Sequence, residues 1–246
     1  MENNPQQASD ERKSSVSILV LAFNEAESIV NALSTINGAL EKQKVADFEF
    51  VLVDAGSSDG TGKIMDECAA RDTRISVIHF ASRGLGHSFR EGVSHASKEY
   101  VGWFPGDDET LPETMTNVFR QLGKADVIIP YTVNPWVRPL GRRILSVIYT
   151  KVFNGIFGVN LKYFNGPCFF RRSLLSTVTM SADGPAYMAE ILVQMVRNKK
   201  ASFVEVPMYL KAQDGRKSRI LRWKNVYEIA KTMADLFVRT RLTRRG

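Results

Sequence analysis

No stretch of this 246-residue chain reaches about 18 uninterrupted apolar residues, so no membrane-crossing helix is expected. Cysteine is nearly absent. Cys68 and Cys168 stand far apart without a metal-ligand spacing, which argues against a disulfide scaffold or a zinc site and for a reducing compartment. Residues 1–15 are polar and mixed in charge, lack the apolar core of a secretion signal, and are expected to form a disordered tail. Beyond that tail, 44% hydrophobic content is ample for a packed core and excludes a fibrous or wholly disordered protein.

Acidic residues are missing from one long stretch. Residues 127–182 hold seven Lys and Arg and no Asp or Glu, whereas residues 1–126 hold 12 bases against 20 acids. Residues 219–246 carry eight bases against two acids, so the net charge of +7 is concentrated in the second half. Such asymmetry points to a polyanionic partner, either nucleic acid or an anionic membrane surface.

What is present first is an alternation of apolar runs and amphipathic stretches. Strands are expected over Val16–Ala22, Phe48–Val53, Ile75–Phe80 and Val101–Phe104, with helices over Glu27–Leu40, Lys63–Arg71 and Ser88–Ser97. Alternation of this length implies right-handed βαβ units and a mainly parallel sheet, an α/β fold. A further strand is expected over Val127–Tyr131.

The loops that follow the strands are richer in chemistry than in bulk. The fourth apolar run stops at Pro105-Gly106 and is followed by Asp107, Asp108 and Glu109. Ligands of open α/β sheets sit outside the strands' carboxyl ends, and acids delivered there can hold a hard divalent cation shared with substrate phosphates. An isolated acidic trio of this kind is ordinarily a solvated turn, because turns favour Asp. A helix start after Gly84-Leu85-Gly86 offers free N–H groups, and Arg83 adds a fixed charge, a combination suited to phosphate. The bare Gly-x-Gly matches neither a dinucleotide fingerprint nor a P-loop. Asp54, at the end of the second strand, can accept hydrogen bonds from a base or ribose, whereas Asp59 reads as a turn-stabilising side chain.

Taken in series, Ala22-Phe23-Asn24-Glu25, Asp54-Ala55-Gly56-Ser57-Ser58-Asp59-Gly60-Thr61, Arg83-Gly84-Leu85-Gly86 and Pro105-Gly106-Asp107-Asp108-Glu109 resemble family 2 glycosyltransferases in order and spacing. The resemblance covers roughly residues 16–220. It implies a GT-A fold, with a mainly parallel central sheet flanked by helices, and inverting transfer from a nucleotide-diphosphate sugar. Residues 16–126 would form the nucleotide-sugar half and residues 127–218 the acceptor half, followed by a basic helix over residues 219–246. By the same resemblance Ala22, Phe23, Asn24, Glu25, Asp54, Gly56, Arg83 and Gly84 would bind the nucleotide. Asp107 and Glu109 would hold Mg²⁺ or Mn²⁺, with Asp107 essential for catalysis. The family's Asp-x-Asp motif has Pro105 in its first position here, one carboxylate fewer than usual. That departure keeps a non-catalytic nucleotide-sugar-binding membrane protein open as an alternative.

The second half bears on the polyanion. The stretch 138–158 carries a wide apolar face interrupted by Arg142, Arg143 and Lys151, as an interfacial helix would, or alternatively a core-facing amphipathic one. Arg219–Leu242 repeats the composition, with Val226, Ile229, Ala230, Met233 and Phe237 on one stripe. The aromatics lie among aliphatics at helical spacing and form no stacking platform, which argues against nucleic acid. Peripheral attachment to an anionic leaflet is expected, on the cytoplasmic face, with an integral membrane partner left open.

This pattern resembles the polyprenyl-phosphate branch of the family, such as the dolichyl-phosphate mannose synthases, in which GDP- or UDP-sugar glycosylates an isoprenoid phosphate. The resemblance places Arg142 and Ser146 on the acceptor phosphate, and Arg216, Lys217 and Ser218 in a basic loop that closes on the donor pyrophosphate. Lys211 or Arg216 could replace a missing arginine before that loop. Glu190 matches a position used as catalytic base by other family members. A phosphate acceptor is already anionic and needs no base. Glu190 is therefore either an orienting carboxylate or, if the acceptor is a hydroxyl of a glycan or lipid, the base.

Overall fold

The computed structural model describes residues 14–81, 84–212 and 223–242. Its centre is a seven-stranded sheet made by β1 (Val16–Ala22), β2 (Phe48–Asp54), β3 (Ile75–His79), β4 (Tyr100–Pro105), β5 (Val127–Thr132), β6 (Phe169–Arg171) and β7 (Phe203–Met208). The spatial order is β3-β2-β1-β4-β6-β5-β7, and only β6 runs antiparallel to its neighbours. Among the described residues eight α-helices flank it: α1 (Ile29–Lys42), α2 (Thr61–Ala69), α3 (Leu85–His95), α4 (Pro112–Phe119), α5 (Leu140–Phe157), α6 (Arg172–Leu175), α7 (Tyr187–Val193) and α8 (Trp223–Leu242).

Side chains alternate across each strand, so one continuous apolar run supplies two cores. Ile18, Val20, Phe50, Leu52, Tyr100 and Phe104 pack with α1 and α4 on one face. Leu19, Leu21, Val51, Val53, Val101 and Trp103 pack with α3, α5, α7 and α8 on the other. Because β1, β2 and β4 are parallel neighbours, the loops after all three leave from one edge of the sheet.

The expected strands are present, and the helix starts differ for local reasons. Helix α2 begins at Thr61 because Asp59 Oδ1 accepts the Thr61 N–H at 3.0 Å. Helix α3 begins at Leu85 because Gly84 is extended, and Gly86 fits within the first turn against the backbone of Ala182 and Asp183. Residues 1–13 of the expected tail lie outside the described residues. Ser15 is already pinned, its Oγ accepting the Glu99 N–H at 3.0 Å and its carbonyl the Tyr100 N–H at 2.9 Å.

The two basic helices part company. Helix α5 has two apolar stripes where one was expected: Tyr149, Phe153 and Phe157 are buried in the core, while Leu140, Ile144, Val147 and Ile148 are 53 to 63% exposed. The C-terminal stripe differs in part from an outward-facing one. Ile229, Met233 and Phe237 of α8 are half-buried and pack on the core around fully buried Leu236, so these three face protein, while Ala230 of the same stripe is exposed. Among the described residues, no helix is long and apolar enough to cross a membrane.

Candidate active site

The loops after β1 and β2 are stitched together by backbone donors and short side chains. Asn24, in the left-handed region at φ 56°, donates its N–H to Ser57 Oγ at 2.9 Å and accepts the Ser58 N–H on Oδ1 at 2.9 Å. Glu25 N–H reaches Thr61 Oγ1 at 2.8 Å, and Ala26 N–H reaches Asp59 Oδ2 at 3.1 Å. Asp59 is thereby a turn carboxylate. Against desolvation, hydrogen bonds from Thr61 and Ala26 hold its pKa below the ordinary value. Gly56 sits at φ +81°, and a Cβ there would stand 2.9 Å from the Phe80 carbonyl.

Asp54 closes β2 as a buried carboxylate. Its Oδ1 accepts the Ser57 N–H at 2.9 Å, and its Oδ2 lies 3.3 Å from His79 Nδ1. His79 was not singled out from the sequence, although the parallel register of β2 and β3 sets it opposite Asp54. Ala22 ends β1 beside Gly106, whose added Cβ would meet Ala22 Cβ at 2.9 Å, so the acid loop crosses the end of β1 only as glycine. Gly84 precedes α3, and Gly86 N–H donates to the Asp183 carbonyl at 3.1 Å. Arg83 lies outside the described residues.

The three acids diverge after Gly106. Asp107 Oδ1 accepts the Glu109 N–H at 3.0 Å. Asp108 has φ 53° and turns away to an ion pair with Lys211 and a 3.2 Å hydrogen bond from Thr35. Glu109 Oε1 lies 3.2 Å from Arg138 Nη2, and Arg138 also donates to Tyr163 Oη at 3.1 Å. Asp107 and Glu109 offer carboxylate oxygens from one loop, and among the described residues no group of three or more His, Cys, Asp or Glu could enclose a metal. Two carboxylates suit a hard cation that keeps waters and takes the rest of its ligands from phosphate.

Arg142 stands near this pair on the first turn of α5, with Ser146 one turn later on the same face. Its guanidinium has no ion pair or side-chain hydrogen bond among the described residues. Burial, then the neighbouring Arg138 charge, push its pKa below the ordinary arginine value, partly offset by Glu109, Tyr163 and Asp107. Arg138 was missed from sequence, although it opens the stretch expected to be helical. The structure brings Lys211 to the acid loop, as Asp108's partner. Arg216, Lys217 and Ser218 lie outside the described residues.

Glu190 is set apart from these groups by its bonding. It is fully buried on α7 and accepts four hydrogen bonds, from Ser181 N–H at 2.9 Å, Ala182 N–H at 2.9 Å, Ser181 Oγ at 2.6 Å and Arg239 of α8 at 2.5 Å. The segment it holds, residues 181–183, is the one that touches Gly86 and pairs Asp183 with Arg90 at 2.6 Å.

Comparison with known proteins gives this arrangement a context. A model of glycosyl transferase family 2 matches residues 17–179. Polyprenol monophosphomannose synthase of Mycolicibacterium smegmatis is 26% identical over 242 residues, covering 92% of this chain and 88% of that one. Three further curated bacterial relatives are 30 to 37% identical, over only 26 to 32% of their own length. Among solved structures, glucosyl-3-phosphoglycerate synthase of Mycobacterium tuberculosis, in complex with Mn²⁺, UDP-glucose and phosphoglyceric acid, superposes with TM-score 0.68 at 15% identity, covering 91% of this chain and 80% of that one. The mannosyltransferase PcManGT of Pyrobaculum calidifontis, in complex with GDP-mannose and Mn²⁺, gives TM-score 0.62 at 19% identity, covering 90% and 65%. The fold is that of these glycosyltransferases, as the order of the strand-end loops implied.

Proposed function

Because the chain belongs to glycosyl transferase family 2, we propose that it moves a sugar from GDP or UDP to the phosphate of a polyprenyl lipid, at the cytoplasmic face of an anionic membrane. The observation that carries the acceptor is Arg142. A half-buried guanidinium beside another guanidinium is stabilised by an arriving anion, and it matches phosphate in geometry and charge. Ser146 adds a hydroxyl on the same face. The exposed stripe of Leu140, Ile144, Val147 and Ile148 continues from that point and suits an isoprenoid in a leaflet. The polyprenol monophosphomannose synthase similar to this chain along nearly its whole length supports the same acceptor class. The cytoplasmic side is proposed because both cysteines are unpaired thiols.

On the donor side, Ala22, Phe23, Asn24, Glu25, Asp54 and Gly56 would receive the nucleoside, and Gly84 with Arg83 the phosphates. Asp107 and Glu109 would hold Mg²⁺ or Mn²⁺, which when bound would neutralise charge on the departing nucleoside diphosphate. Arg216, Lys217 and Ser218 would close over the same pyrophosphate. The acceptor phosphate, oriented by Arg142 and Ser146, attacks the anomeric carbon as an anion from the face opposite the nucleoside diphosphate; the new C–O bond forms as the bond to that leaving group breaks, and configuration inverts. No proton has to be removed first, and positioning does most of the work. The four donors on Glu190 support an orienting role for it over that of a base.

The test is incubation of the full chain with labelled GDP- and UDP-sugars, Mg²⁺ or Mn²⁺, and polyprenyl phosphate in anionic vesicles. Labelled lipid that disappears on chelation is expected. No labelled lipid with any donor overturns the reading, and label in a water-soluble phosphorylated product would point to a soluble phosphate acceptor.

A further inference from the structure

His79 ends β3 with its ring held between two carboxylates. Nδ1 lies 3.3 Å from Asp54 Oδ2, and Nε2 lies 3.0 Å from Asp66 Oδ1 on α2. A neutral imidazole has one N–H and one lone pair, whereas a carboxylate only accepts. Both contacts are therefore hydrogen bonds only when the ring carries two protons. The charged groups that face it are Asp54 from β2 and Asp66 from α2, and β3 has no other charged residue. The hydrogen bond to Asp66, then, against desolvation, that to Asp54, raise the imidazole pKa above its ordinary value. The first turn of α2 is fitted to this array, since a Cβ on Gly62 would stand 2.7 Å from Asp54 Oδ2 and 3.2 Å from His79 Nδ1.

We propose that His79 is a positioning residue for the nucleotide donor: anchored by Asp66, its imidazolium fixes Asp54 Oδ2 and thereby sets the orientation in which Asp54 Oδ1 meets an N–H or O–H of the nucleoside. This rests on the reading of Asp54 as a nucleoside-binding group. Oδ1 already accepts the Ser57 N–H and keeps a second lone pair, so it can take one more donor without giving up the loop. When the ring loses a proton, one of its nitrogens turns a lone pair toward a carboxylate and the clamp opens. Donor affinity is then greatest below the imidazole pKa and declines as pH rises through it, with KM for the donor moving and kcat nearly constant.

Two measurements on the full chain test this. In ¹⁵N-detected NMR at about pH 6.5, the His79 ring shows two protonated nitrogens, and Asp66→Asn lowers its titration midpoint. In calorimetric titration with GDP and with UDP, His79→Ala weakens binding roughly tenfold at about pH 6.5, on the scale of one lost hydrogen bond to a charged group. His79→Asn, whose amide nitrogen falls near the place of Nδ1, restores most of that affinity and makes it independent of the ring. The ratio of unaltered protein to His79→Asn across pH removes the titration of the nucleotide's own phosphate. A singly protonated ring at about pH 6.5 overturns the inference, and so does a His79→Ala protein that binds both nucleotides unchanged. Failure of the unaltered protein to bind either nucleotide overturns the donor reading together with it.

Discussion

Asp107 and Glu109 are two residues apart yet differently bound, one by its own loop and the other by Arg138. Replacing Asp107 with Ala removes a carboxylate for which Glu109, held by Arg138, is no substitute. Turnover should fall to background while stability falls by no more than about 1.5 kcal/mol, the scale of the hydrogen bond that Asp107 accepts from the Glu109 N–H. Full activity in a radiolabel assay of D107A would sink the metal assignment. Glu190 calls for the opposite pattern. Glu190→Gln keeps the shape of the side chain but turns one of its two accepting oxygens into an NH₂ donor, which must face either the Ser181 and Ala182 N–H groups or the Arg239 guanidinium. An orienting carboxylate predicts a turnover loss of about tenfold or less with a lowered melting temperature. A loss of roughly 10²–10⁴ without a stability change is what a general base would give.

At the scale of elements, α5 connects the proposed site to the proposed membrane. One stripe, Tyr149, Phe153 and Phe157, is committed to the core, so substitutions on the other stripe leave the fold intact. Ile144→Ser with Val147→Ser should reduce flotation with anionic vesicles severalfold while leaving the melting temperature nearly unchanged. Binding that survives both this double change and raised salt would exclude α5 as the contact. Strands β1, β2, β4 and β5 were legible because burial writes a nearly continuous apolar run, the half-exposed edge strand β3 was legible through Ile75, Val77 and Ile78, and β6, three residues long, is too short to write anything. The stripe on α8 was legible as apolar, but whether lipid or protein covers it depends on contacts with α5 and α7 that no local pattern encodes. The same holds within the site. Asn24, Asp54 and the acid loop announce themselves at strand ends, whereas the Asp108–Lys211 and Asp54–His79 pairs exist only because the sheet order brings distant segments together.

Over the whole molecule, charge is divided between an acidic first half and a basic second half, and the titrating groups act on stability from opposite directions. Asp72 is held below its ordinary pKa by Arg74, Asp126 by Ser202 and Arg171, and Glu49, against its own burial, by Ser17 and Ser97. A lowered carboxylate contributes stability above its unfolded pKa and loses it as pH falls through the folded one, so these groups predict loss below about pH 4. Each contribution is modest because the side chains are partly in solvent. His79 works the other way. Its raised pKa contributes stability that is fully present below the unfolded value, about 6.5, and disappears as pH rises through the folded value. The melting temperature should therefore fall at both ends, steeply in acid because several carboxylates contribute and shallowly between about pH 6.5 and 8.5, where the imidazole titrates before the buried Cys168 thiol, itself raised, begins to act. Thermal scans of His79→Asn in the same buffers separate the two: the alkaline slope should flatten while the acid limb stays in place. An alkaline slope that persists in that variant would mean some other group carries it, and that the imidazole contributes nothing to holding β2, β3 and α2 together.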